Sequence, residues 1–317
     1  MDTLPDVIRI EPVGLCNFNC QHCPTGISPN KRALLSKEKF HEIIDGFKKI
    51  NFLPRVVVCY HGGEPLLNKN LSYFIKHLKD WGVKKTVITT NASLLTEQTS
   101  KNLIEAGIDQ IKVSFDGENA EENNFTRLKA NFYENAENLK NFCKIYKKIS
   151  KHKIDIAVSN TIITKEENLE IMFKNKQYKN SPKFLTDFFK DEMDVMNIVT
   201  FPALIWPNLN KNDFLHKAFP SEKPSYCSLL FETFSILSNG NVVTCCYDLK
   251  GEIIHGNIFK ESILDVWQSK KFQKFRDDFR IKKYNSLCES CNVVNPRYMY
   301  KKDNQKTFKR SPVQINQ

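Results

Sequence analysis

The sequence lacks the features that mark membrane, secreted or nucleic-acid-binding proteins. No hydrophobic run reaches the roughly 18–20 residues needed to span a bilayer, so we expect no membrane segment. The first nine residues show no signal-peptide pattern, which favours a cytoplasmic protein. The net charge is +11, but basic residues form no long run, so we expect no nucleic-acid partner. The charge indicates either a lysine-rich surface or a substrate that carries phosphate or carboxylate.

We also expect no disulfide framework, because disulfides are rare in cytoplasmic proteins. Its ten cysteines therefore need another role. The chain has 317 residues, of which 41% are hydrophobic. This is enough for one full-sized catalytic domain with a smaller appended module.

Strand-like and helix-like segments alternate over the first two thirds of the chain. Apolar runs predict strands at 7–11, 56–60, 83–90, 110–115, 154–161 and 195–200, and amphipathic segments predict helices near 36–50, 69–80, 96–106, 132–149 and 165–175. Ser36 and Thr96 are typical of helix starts, and Gly82 and Gly107 of helix ends. Six β-α repeats predict parallel strands but are too few for a closed eight-fold barrel. The predicted fold class is α/β, with a partial, TIM-like (β/α)6 open barrel over residues 1–205.

The pattern changes after the predicted barrel. Residues 206–224 are rich in proline and asparagine and predict a linker or lid. Two apolar runs around Asn239 and Gly240 predict a β-hairpin, and a helix is predicted from 261 to 279. We therefore expect a small C-terminal domain over 225–301, followed by a disordered polar tail at 302–317.

Three cysteines, Cys16, Cys20 and Cys23, form a C-x3-C-x2-C group directly after the first predicted strand. Three thiolates can hold three irons of a cubane and leave the fourth iron without a protein ligand. Such an open position is typical of a catalytic metal site, not of a structural one. The spacing alone also allows a zinc site, or an electron-transfer cluster with its fourth cysteine elsewhere.

At these residues the sequence resembles the radical SAM superfamily. The fragment CNFNCQHCP at 16–24 has the family's form, including a ring residue, His22, at a position that contacts adenine in relatives. The fragment HGGEP at 61–65 resembles the family's GGE motif. There the glycines allow close backbone approach, and the strand end with its glutamate can receive the ammonium of SAM. The residues of this motif are Gly62, Gly63 and Glu64.

Further fragments that resemble the family follow the third and fourth strands. Thr90 and Asn91 look like an element beside the nucleoside, although Ala92 replaces the usual glycine. Ser114 and Asp116 match another motif on the SAM side, and the resemblance implies that they bind ribose hydroxyls. Both motifs come at the carboxyl end of their strand, where α/β sheets and barrels bind ligands.

An arginine completes this resemblance. Arg127 lies where relatives place an arginine that pairs with the SAM carboxylate, and a guanidinium fork suits a carboxylate. The resemblance implies an enzyme with a [4Fe-4S] cluster and S-adenosylmethionine (SAM) as cofactors. It further implies that a flavodoxin- or ferredoxin-like donor supplies one electron. SAM then splits into methionine and a 5′-deoxyadenosyl radical, which removes hydrogen from a substrate.

The C-terminal module contains a second cysteine group, with the pattern C-x17-C and then a distant C-x2-C. This resembles the shortened SPASM or twitch module, which implies one auxiliary [4Fe-4S] cluster. The implied ligands are Cys227, Cys245, Cys288 and Cys291. If Cys245 points away from the cluster, Cys246 takes its place as a ligand, because neighbouring residues on a strand face opposite sides. A zinc knuckle from the same four cysteines is the alternative.

Two cysteines, Cys59 and Cys143, lie outside these groups. Isolated cysteines are commonly small buried apolar residues, which is the default interpretation for both. Cys59 lies just before the GGE motif, so a second hypothesis makes it the thiol that returns a hydrogen atom in a radical epimerase.

The substrate is less well defined than the chemistry. SPASM relatives act either on ribosomally made peptides or proteins, or on small molecules. The first strand begins near residue 7, so we expect no N-terminal peptide-recognition domain, and the single-cluster module resembles that of the 2-deoxy-scyllo-inosamine dehydrogenase type. We therefore expect dehydrogenation of a small molecule such as a sugar or aminocyclitol. The alternatives are peptide maturation, sugar epimerisation, an iron–sulfur electron carrier without catalysis, and a zinc-organised nucleic-acid binder.

Overall fold

The structure, a computed structural model, describes residues 3–27, 32, 34–175, 181–207, 209 and 214–302, with the backbone alone at 172–175. The strands are β1 (Val7–Ile10), β2 (Val56–Val58), β3 (Lys85–Thr90), β4 (Gln110–Asp116), β5 (Asp155–Ile162), β6 (Thr164–Lys165), β7 (Met196–Pro202), β8 (His216–Ala218), β9 (Thr233–Ile236), β10 (Asn241–Val243), β11 (Ile254–Asn257) and β12 (Arg297–Lys301). The helices are α1 (Pro24–Ile27), α2 (Lys37–Lys49), α3 (Leu71–Trp81), α4 (Glu97–Glu105), α5 (Ala120–Thr126), α6 (Phe132–Ile149), α7 (Glu166–Asn175), α8 (Lys183–Phe188), α9 (Ser228–Phe231), α10 (Ile263–Trp267), α11 (Lys270–Arg280) and α12 (Ser286–Glu289). Apart from residue 302, the predicted tail lies outside the described residues.

One large sheet runs through both predicted domains. In the part of the chain that the structure describes, its strand order is β11-β10-β9-β1-β2-β3-β4-β5-β7. The six predicted strands of the barrel, β1 to β5 and β7, are each parallel to their neighbours. The end strands β11 and β7 do not pair with each other, so the sheet stays open. The prediction of a partial open barrel is confirmed, whereas the division into domains stays a proposal.

The predicted helix boundaries follow from capping. The hydroxyl of Ser36 accepts a hydrogen bond from the backbone N–H of Lys39 at 3.2 Å, which begins α2. Thr96 caps α4 in the same way. Gly82 ends α3 with a φ of +109°, in the left-handed region that glycine adopts most readily. Ser36 and Thr96 thus fix where α2 and α4 begin, and Gly82 fixes where α3 ends.

Alternation along the strands gives the sheet one apolar face and one more polar face. Ile8 and Ile10 of β1 belong to the main apolar core, together with Phe47 of α2. This core lies between the sheet and the helices. Since successive strand residues point to opposite faces, the residues between the core positions face the interior of the barrel. Tyr60, just after β2, is one of these interior residues and lines a cavity there.

The C-terminal region adds to the barrel sheet. The predicted hairpin is present as β9 and β10, and Gly240 takes a φ of +82° in its turn. β9 pairs in parallel with β1, with Ile8 opposite Phe234. The prediction of a single helix over 261–279 is wrong. The segment is divided into α10 and α11, because the hydroxyl of Ser269 accepts a hydrogen bond from the N–H of Phe272 and starts a new helix there.

A small second sheet was not predicted. It has the strand order β6-β12-β8, and β8 lies inside the segment predicted as a linker. The helices α5 and α8 were also missed; both are short. In the described ranges, every helix is too short or too polar to cross a bilayer.

Candidate functional site

A cavity of about 230 Å³ opens at the carboxyl ends of the first barrel strands. Most of the predicted site residues line it: Cys16, Cys20, His22, Cys23, Gly62, Gly63, Glu64, Thr90, Asn91, Ser114 and Arg127. Asp116 and Cys59 are the predicted residues of this region that do not line it. The cavity therefore gathers predicted residues from five separate segments of the sequence.

The loop with the first three cysteines is held by the segment that follows β4. The backbone N–H of Asn19 donates to the carbonyl of Leu128 at 3.0 Å, and that of Gln21 to the carbonyl of Thr126 at 2.9 Å. The side chain of Gln21 also donates to the carbonyl of Phe125 at 2.6 Å. These three hydrogen bonds hold the loop against the segment that follows β4.

The three thiols of this loop are suited to metal. Burial raises the pKa of Cys16 to about 12 and also raises the pKa values of Cys20 and Cys23. A bound metal removes the thiol proton that burial otherwise retains. The backbone N–H of Phe18 points to the sulfur of Cys16 at 3.5 Å, a weak contact that favours a thiolate. The donor set therefore fits an iron–sulfur cluster.

Position 63 requires a glycine, because the backbone of residues 13–15 lies very close to it. A Cβ atom at this position would overlap the backbone oxygens of Val13 and Leu15. The next residue, Glu64, donates its backbone N–H to the carbonyl of Leu15 at 2.8 Å. The GGE segment thus packs directly against the start of the cysteine loop, and both border the same cavity.

The carboxylate of Glu64 connects this segment to the end of β3. It accepts hydrogen bonds from the hydroxyl of Thr90 at 2.6 Å, the backbone N–H of Asn91 at 2.8 Å and that of Leu66 at 3.1 Å. Burial raises its pKa to about 7, although these three donors oppose the shift. Near neutral pH the carboxyl group can therefore exist with or without its proton.

Asn91 organises the neighbouring wall. Its amide donates to the side chain of Asn17 at 2.9 Å, and its oxygen accepts from the backbone and hydroxyl of Ser93 at 2.9 and 2.6 Å. Ala92, where the family has glycine, takes a φ of +63°. The chain thus keeps the left-handed backbone at this position with a residue that tolerates it less well.

Arg127 and Asp116 bind each other. The Arg127 Nε lies 3.0 Å from one carboxylate oxygen of Asp116, and its Nη2 donates to the other oxygen at 3.3 Å. Burial alone would lower the pKa of Arg127, but Asp116 and the nearby thiols raise it, so the group stays charged. Asp116 therefore positions the arginine that lines the cavity. The predicted contact of Asp116 with a ribose stays a prediction.

His22 lies beside this pair. Its Nε2 lies 3.6 Å from Asp116, while its Nδ1 is buried without a hydrogen-bond partner in the described structure. Burial lowers its pKa, so the ring is largely neutral near pH 7. A buried nitrogen without a partner on a cavity wall fits a site that a polar ligand completes.

The prediction missed several residues that line the cavity. Thr89 of β3 and Tyr60, just after β2, face the barrel interior, and their alternation with the core residues Ile88 and Cys59 could have indicated them. Trp206 lies in the segment predicted as a linker, where no periodic pattern marks it. Leu249 belongs to the C-terminal module, so only the folded structure brings it here.

Cys59 and Cys143 both lie in the apolar core. Cys59 is 3% exposed and packs on the helix side of the sheet, opposite the face that borders the cavity. Burial raises its pKa to about 12, as it does for Cys143. The hypothesis that Cys59 returns a hydrogen atom therefore finds no support in its position.

The five C-terminal cysteines lie together. Burial raises the pKa of Cys288 to about 12 and that of Cys291 to about 11, and Cys227 adds to both. Cys246, Cys291 and Cys288 likewise raise the pKa of Cys245, after burial. The choice between Cys245 and Cys246 as a ligand stays a prediction, since both belong to this group.

The second cysteine group is close to the cavity. Tyr247 follows Cys246 directly, and burial and then the neighbouring thiols raise its pKa. Its ring lies 4.8 Å from that of Trp206, which lines the cavity. Two residues later, Leu249 reaches the cavity wall itself.

Contacts across the sheet hold this segment in place. Arg32 binds both carboxylate oxygens of Glu11, at 2.7 and 2.8 Å, and donates to the carbonyls of Leu249 and Lys250 at 2.9 and 3.2 Å. Burial alone would raise the pKa of Glu11, but Arg32 lowers it, so the carboxylate is charged. The connection between the two cysteine groups is therefore fixed by a buried ion pair.

Comparison with known proteins agrees with this arrangement. A sequence profile of the radical SAM superfamily matches residues 10–173, more than half of the chain, and one of the SPASM iron-sulfur cluster-binding domain matches residues 227–292. The S-adenosyl-L-methionine-dependent 2-deoxy-scyllo-inosamine dehydrogenase of Niallia circulans is 21% identical over 300 residues, covering 93% of this chain and 96% of the relative. The GTP 3′,8-cyclase of Aquifex aeolicus is 27% identical over 299 residues, covering 84% and 89%.

Solved structures show the same fold. The crystal structure of BtrN in complex with AdoMet and 2-DOIA gives a TM-score of 0.61 at 19% identity and covers 93% of this chain and 95% of that one. Streptococcus suis SuiB bound to S-adenosylmethionine gives 0.58 at 17% identity, covering 92% and 73%. At such identities the likeness establishes the fold alone.

The cofactors follow from the two matched families. The radical SAM domain uses a [4Fe-4S] cluster and SAM, and the SPASM domain holds auxiliary iron–sulfur clusters. The cavity and the two cysteine groups described above fit these cofactors. The chain is therefore an enzyme of the radical SAM superfamily with a C-terminal SPASM iron–sulfur cluster-binding domain.

Proposed function

We propose that this enzyme dehydrogenates a small molecule such as a sugar or an aminocyclitol. When bound, the reduced [4Fe-4S] cluster and SAM supply a 5′-deoxyadenosyl radical that removes a hydrogen atom from the substrate. In this proposal Cys16, Cys20 and Cys23 hold that cluster, and a flavodoxin- or ferredoxin-like protein reduces it. The auxiliary cluster is held by Cys227, Cys245, Cys288 and Cys291.

In this proposal, different cavity residues bind different parts of SAM. The backbone at Gly62 and Gly63 and the carboxylate of Glu64 offer acceptors for its ammonium group. Arg127, kept charged by Asp116, offers a fork for its carboxylate. The residues proposed to surround the nucleoside are His22, Thr90, Asn91 and Ser114. The aromatic rings of Tyr60 and Trp206 help to exclude water from the reacting atoms.

One observation carries the choice of dehydrogenation. The second cysteine group is linked to the cavity wall by the short segment from Cys246 to Leu249 and by the contact of Tyr247 with Trp206. The 5′-deoxyadenosyl radical would remove one hydrogen atom from the substrate, that is, one electron and one proton. A dehydrogenation then requires the substrate radical to lose a second electron and a second proton; a redox group beside the cavity can accept that electron, and the proton passes to solvent. An epimerisation returns a hydrogen atom to the substrate radical and needs no such acceptor.

Anaerobic reconstitution tests the proposal. With dithionite and SAM, the wild-type enzyme should release 5′-deoxyadenosine slowly without substrate, measured by liquid chromatography, and not at all when dithionite is left out. Candidate sugars and aminocyclitols deuterated at the reacting carbons should then accelerate this release. Deuterium should appear in the 5′-deoxyadenosine, and mass spectrometry should find a product two hydrogens lighter.

Two outcomes would replace the proposal. If the fully reduced enzyme with intact clusters releases no 5′-deoxyadenosine, the electron-carrier alternative is favoured. If peptides encoded next to the enzyme accelerate the release and small molecules do not, the enzyme modifies peptides. SuiB, whose fold is shared, has also been crystallised bound to the precursor peptide SuiA, which gives this second outcome a structural precedent.

A further inference from the structure

Lys112 is a cation on the interior face of the barrel. It lies on β4 between Ile111 and Val113, which both belong to the core on the helix side, so its own side chain faces the interior. Ser114, the next residue of β4 on the same face, lines the cavity. Because the cavity opens at the carboxyl ends of the strands, Lys112 lies about 7 Å deeper in the barrel than Ser114.

No acidic side chain neutralises this lysine. Lys112 is half-buried, and among the described residues its ammonium group forms neither an ion pair nor a hydrogen bond. The neighbouring strand β5 carries one carboxylate on the interior face, that of Asp155. This carboxylate accepts a hydrogen bond from Gln110 and lies 3.9 Å from the ammonium of Lys85. A charge that is partly removed from water is normally paired, so the N–H donors of Lys112 are available to a ligand.

A hydroxyl group without a partner lies beside this cation. Thr89 of β3 is the register partner of Lys112 and faces the same interior, since its neighbour Ile88 belongs to the core. Thr89 lines the cavity, and its hydroxyl is buried without a hydrogen-bond partner in the described structure. Adjacent strands lie about 4.8 Å apart, so the two side chains start from neighbouring points of the cavity wall. Both can donate a hydrogen bond to an oxygen atom of a ligand.

The interior is open on the other side of Lys112. Its register partner on β5 is Ala157, whose small side chain leaves room across the sheet. On the next strand, β7, Val199 and Phe201 alternate with Ile198, which packs against the core, so both face the interior. They are 40% and 48% exposed. Apolar side chains that stay exposed on a concave face border a space that a ligand can fill.

We infer that Lys112 and Thr89 bind an anionic group of the substrate, a phosphate or a carboxylate, inside the barrel. This inference rests on the proposed function, because it narrows the small-molecule substrate to a sugar or cyclitol that carries an acidic group. The ring of this substrate would extend from the anion toward Ser114 and SAM, and its C–H face would pack against Val199 and Phe201. An ammonium group attracts both anions as a point charge, so experiment must choose between them.

Calorimetric titration of the reconstituted enzyme, saturated with SAM and without reductant, tests the inference. The probes are glucose 6-phosphate, glucuronate and glucose, which share a ring and differ in charge. At least one of the two anions should bind with a stoichiometry of one and at least tenfold more tightly than glucose. The anion that binds more tightly identifies the group. Because SAM already occupies its own site, binding of the probes there cannot account for the signal.

Variants locate the site. Lys112→Gln should weaken binding of the anion at least tenfold and change binding of glucose less than twofold, because it removes only the charge. Lys112→Arg restores a cation and should restore the preference for the anion over glucose. Thr89→Val replaces the hydroxyl with a methyl group of similar shape and should weaken binding of the anion about threefold. The matched control is Lys153→Gln, since Lys153 is an exposed lysine just before β5, and it should change the affinity less than twofold.

Three results would overturn the inference: no binding of either anion, equal binding of all three probes, or no greater loss in Lys112→Gln than in Lys153→Gln. Circular dichroism confirms that each variant is folded. If Lys112→Gln does not fold, Lys112→Met keeps the apolar stem of the side chain and takes its place in the comparison. None of these results depends on SAM cleavage, because the titration contains no reductant. Failure of this inference is therefore distinct from failure of the proposed function.

Discussion

The two cysteine groups are built in opposite ways. Cys16, Cys20 and Cys23 lie on one loop that backbone hydrogen bonds hold, and they come with no fourth cysteine. The C-terminal cysteines are spread over residues 227–291 and come from three segments that meet only in the folded chain. A group of three beside a cavity leaves room for a reactant, whereas a group of five can supply every ligand of a cluster. The comparison therefore separates a site that performs chemistry from one that supports it.

The largest expected effect comes from removing the first group. Cys16→Ala/Cys20→Ala/Cys23→Ala should lower the iron content from about eight to about four per chain, as one of two four-iron clusters is lost. Release of 5′-deoxyadenosine should fall to background, because no open iron remains for SAM. Iron and sulfide assays together with liquid chromatography of the SAM products measure both effects.

The matched variant removes the second group. Cys227→Ala/Cys288→Ala should also lower the iron content to about four, but the slow release of 5′-deoxyadenosine without substrate should persist. Product formation should be lost. If both variants lose SAM cleavage to the same extent, the two sites do not divide the work, and the comparison fails.

A smaller effect should distinguish the two adjacent cysteines of the second group. Cys245→Ser should lower the iron content to about four per chain, while Cys246→Ser should keep about eight. The reason is that Cys245 is the more buried residue. The pKa shifts do not separate the two, because the Cys246 thiol also raises the pKa values of Cys227 and Cys291. Iron analysis and the electron paramagnetic resonance signal of the auxiliary cluster distinguish them. The reverse result would assign Cys246 as the ligand.

The two regions also differ in how well the sequence predicts them. The barrel strands and the helices between them were predicted to within a few residues, because each has a strong period and a cap such as Ser36 or Gly82. The division of the C-terminal helix at Ser269 was missed, since an amphipathic pattern continues across it. The position of β9 beside β1, and hence of Leu249 on the cavity wall, depends on contacts distant in sequence that no local pattern encodes.

The same limit applies to individual site residues. The motifs predicted that Asp116 binds the ribose and that Arg127 pairs with the SAM carboxylate, but not that the two residues pair with each other. A motif specifies which side chains share an edge of the sheet. It does not specify which of them neutralise one another, because this depends on burial and on distances of a few ångströms.

The stability of the folded protein should depend on pH through the carboxyl group of Glu64 in the first site. Its pKa in the folded protein is about 7, above the ordinary value of 4.5, so the folded protein retains a proton that the unfolded chain has lost. The stability that this proton contributes is fully present below pH 4.5 and is lost as the pH rises through 7. The loss amounts to about 3 kcal/mol, an order-of-magnitude figure for a fully buried carboxyl.

Urea unfolding of the cluster-free protein at several pH values measures this loss. Glu64→Gln should flatten the dependence between pH 5 and pH 8, because an amide does not ionise. Glu97→Gln, which changes an exposed glutamate of α4, should leave the slope unchanged. A wild-type slope that survives in Glu64→Gln would mean that another group titrates.

The smallest effect concerns the cysteines that belong to neither group. Cys59→Ala and Cys143→Ala should each cost about 1 kcal/mol of stability, because each leaves a small gap in the core, and neither should change turnover. Thermal unfolding and product assays compare the pair directly. The two residues are matched in burial and in the direction of their pKa shifts, but only Cys59 lies between β2 and the GGE segment. If Cys59→Ala alone abolishes turnover while SAM is still cleaved, its thiol returns a hydrogen atom and the reaction is an epimerisation. If both variants keep their turnover, the cysteines contribute to the chemistry only as ligands of the two clusters. This is the result that dehydrogenation requires.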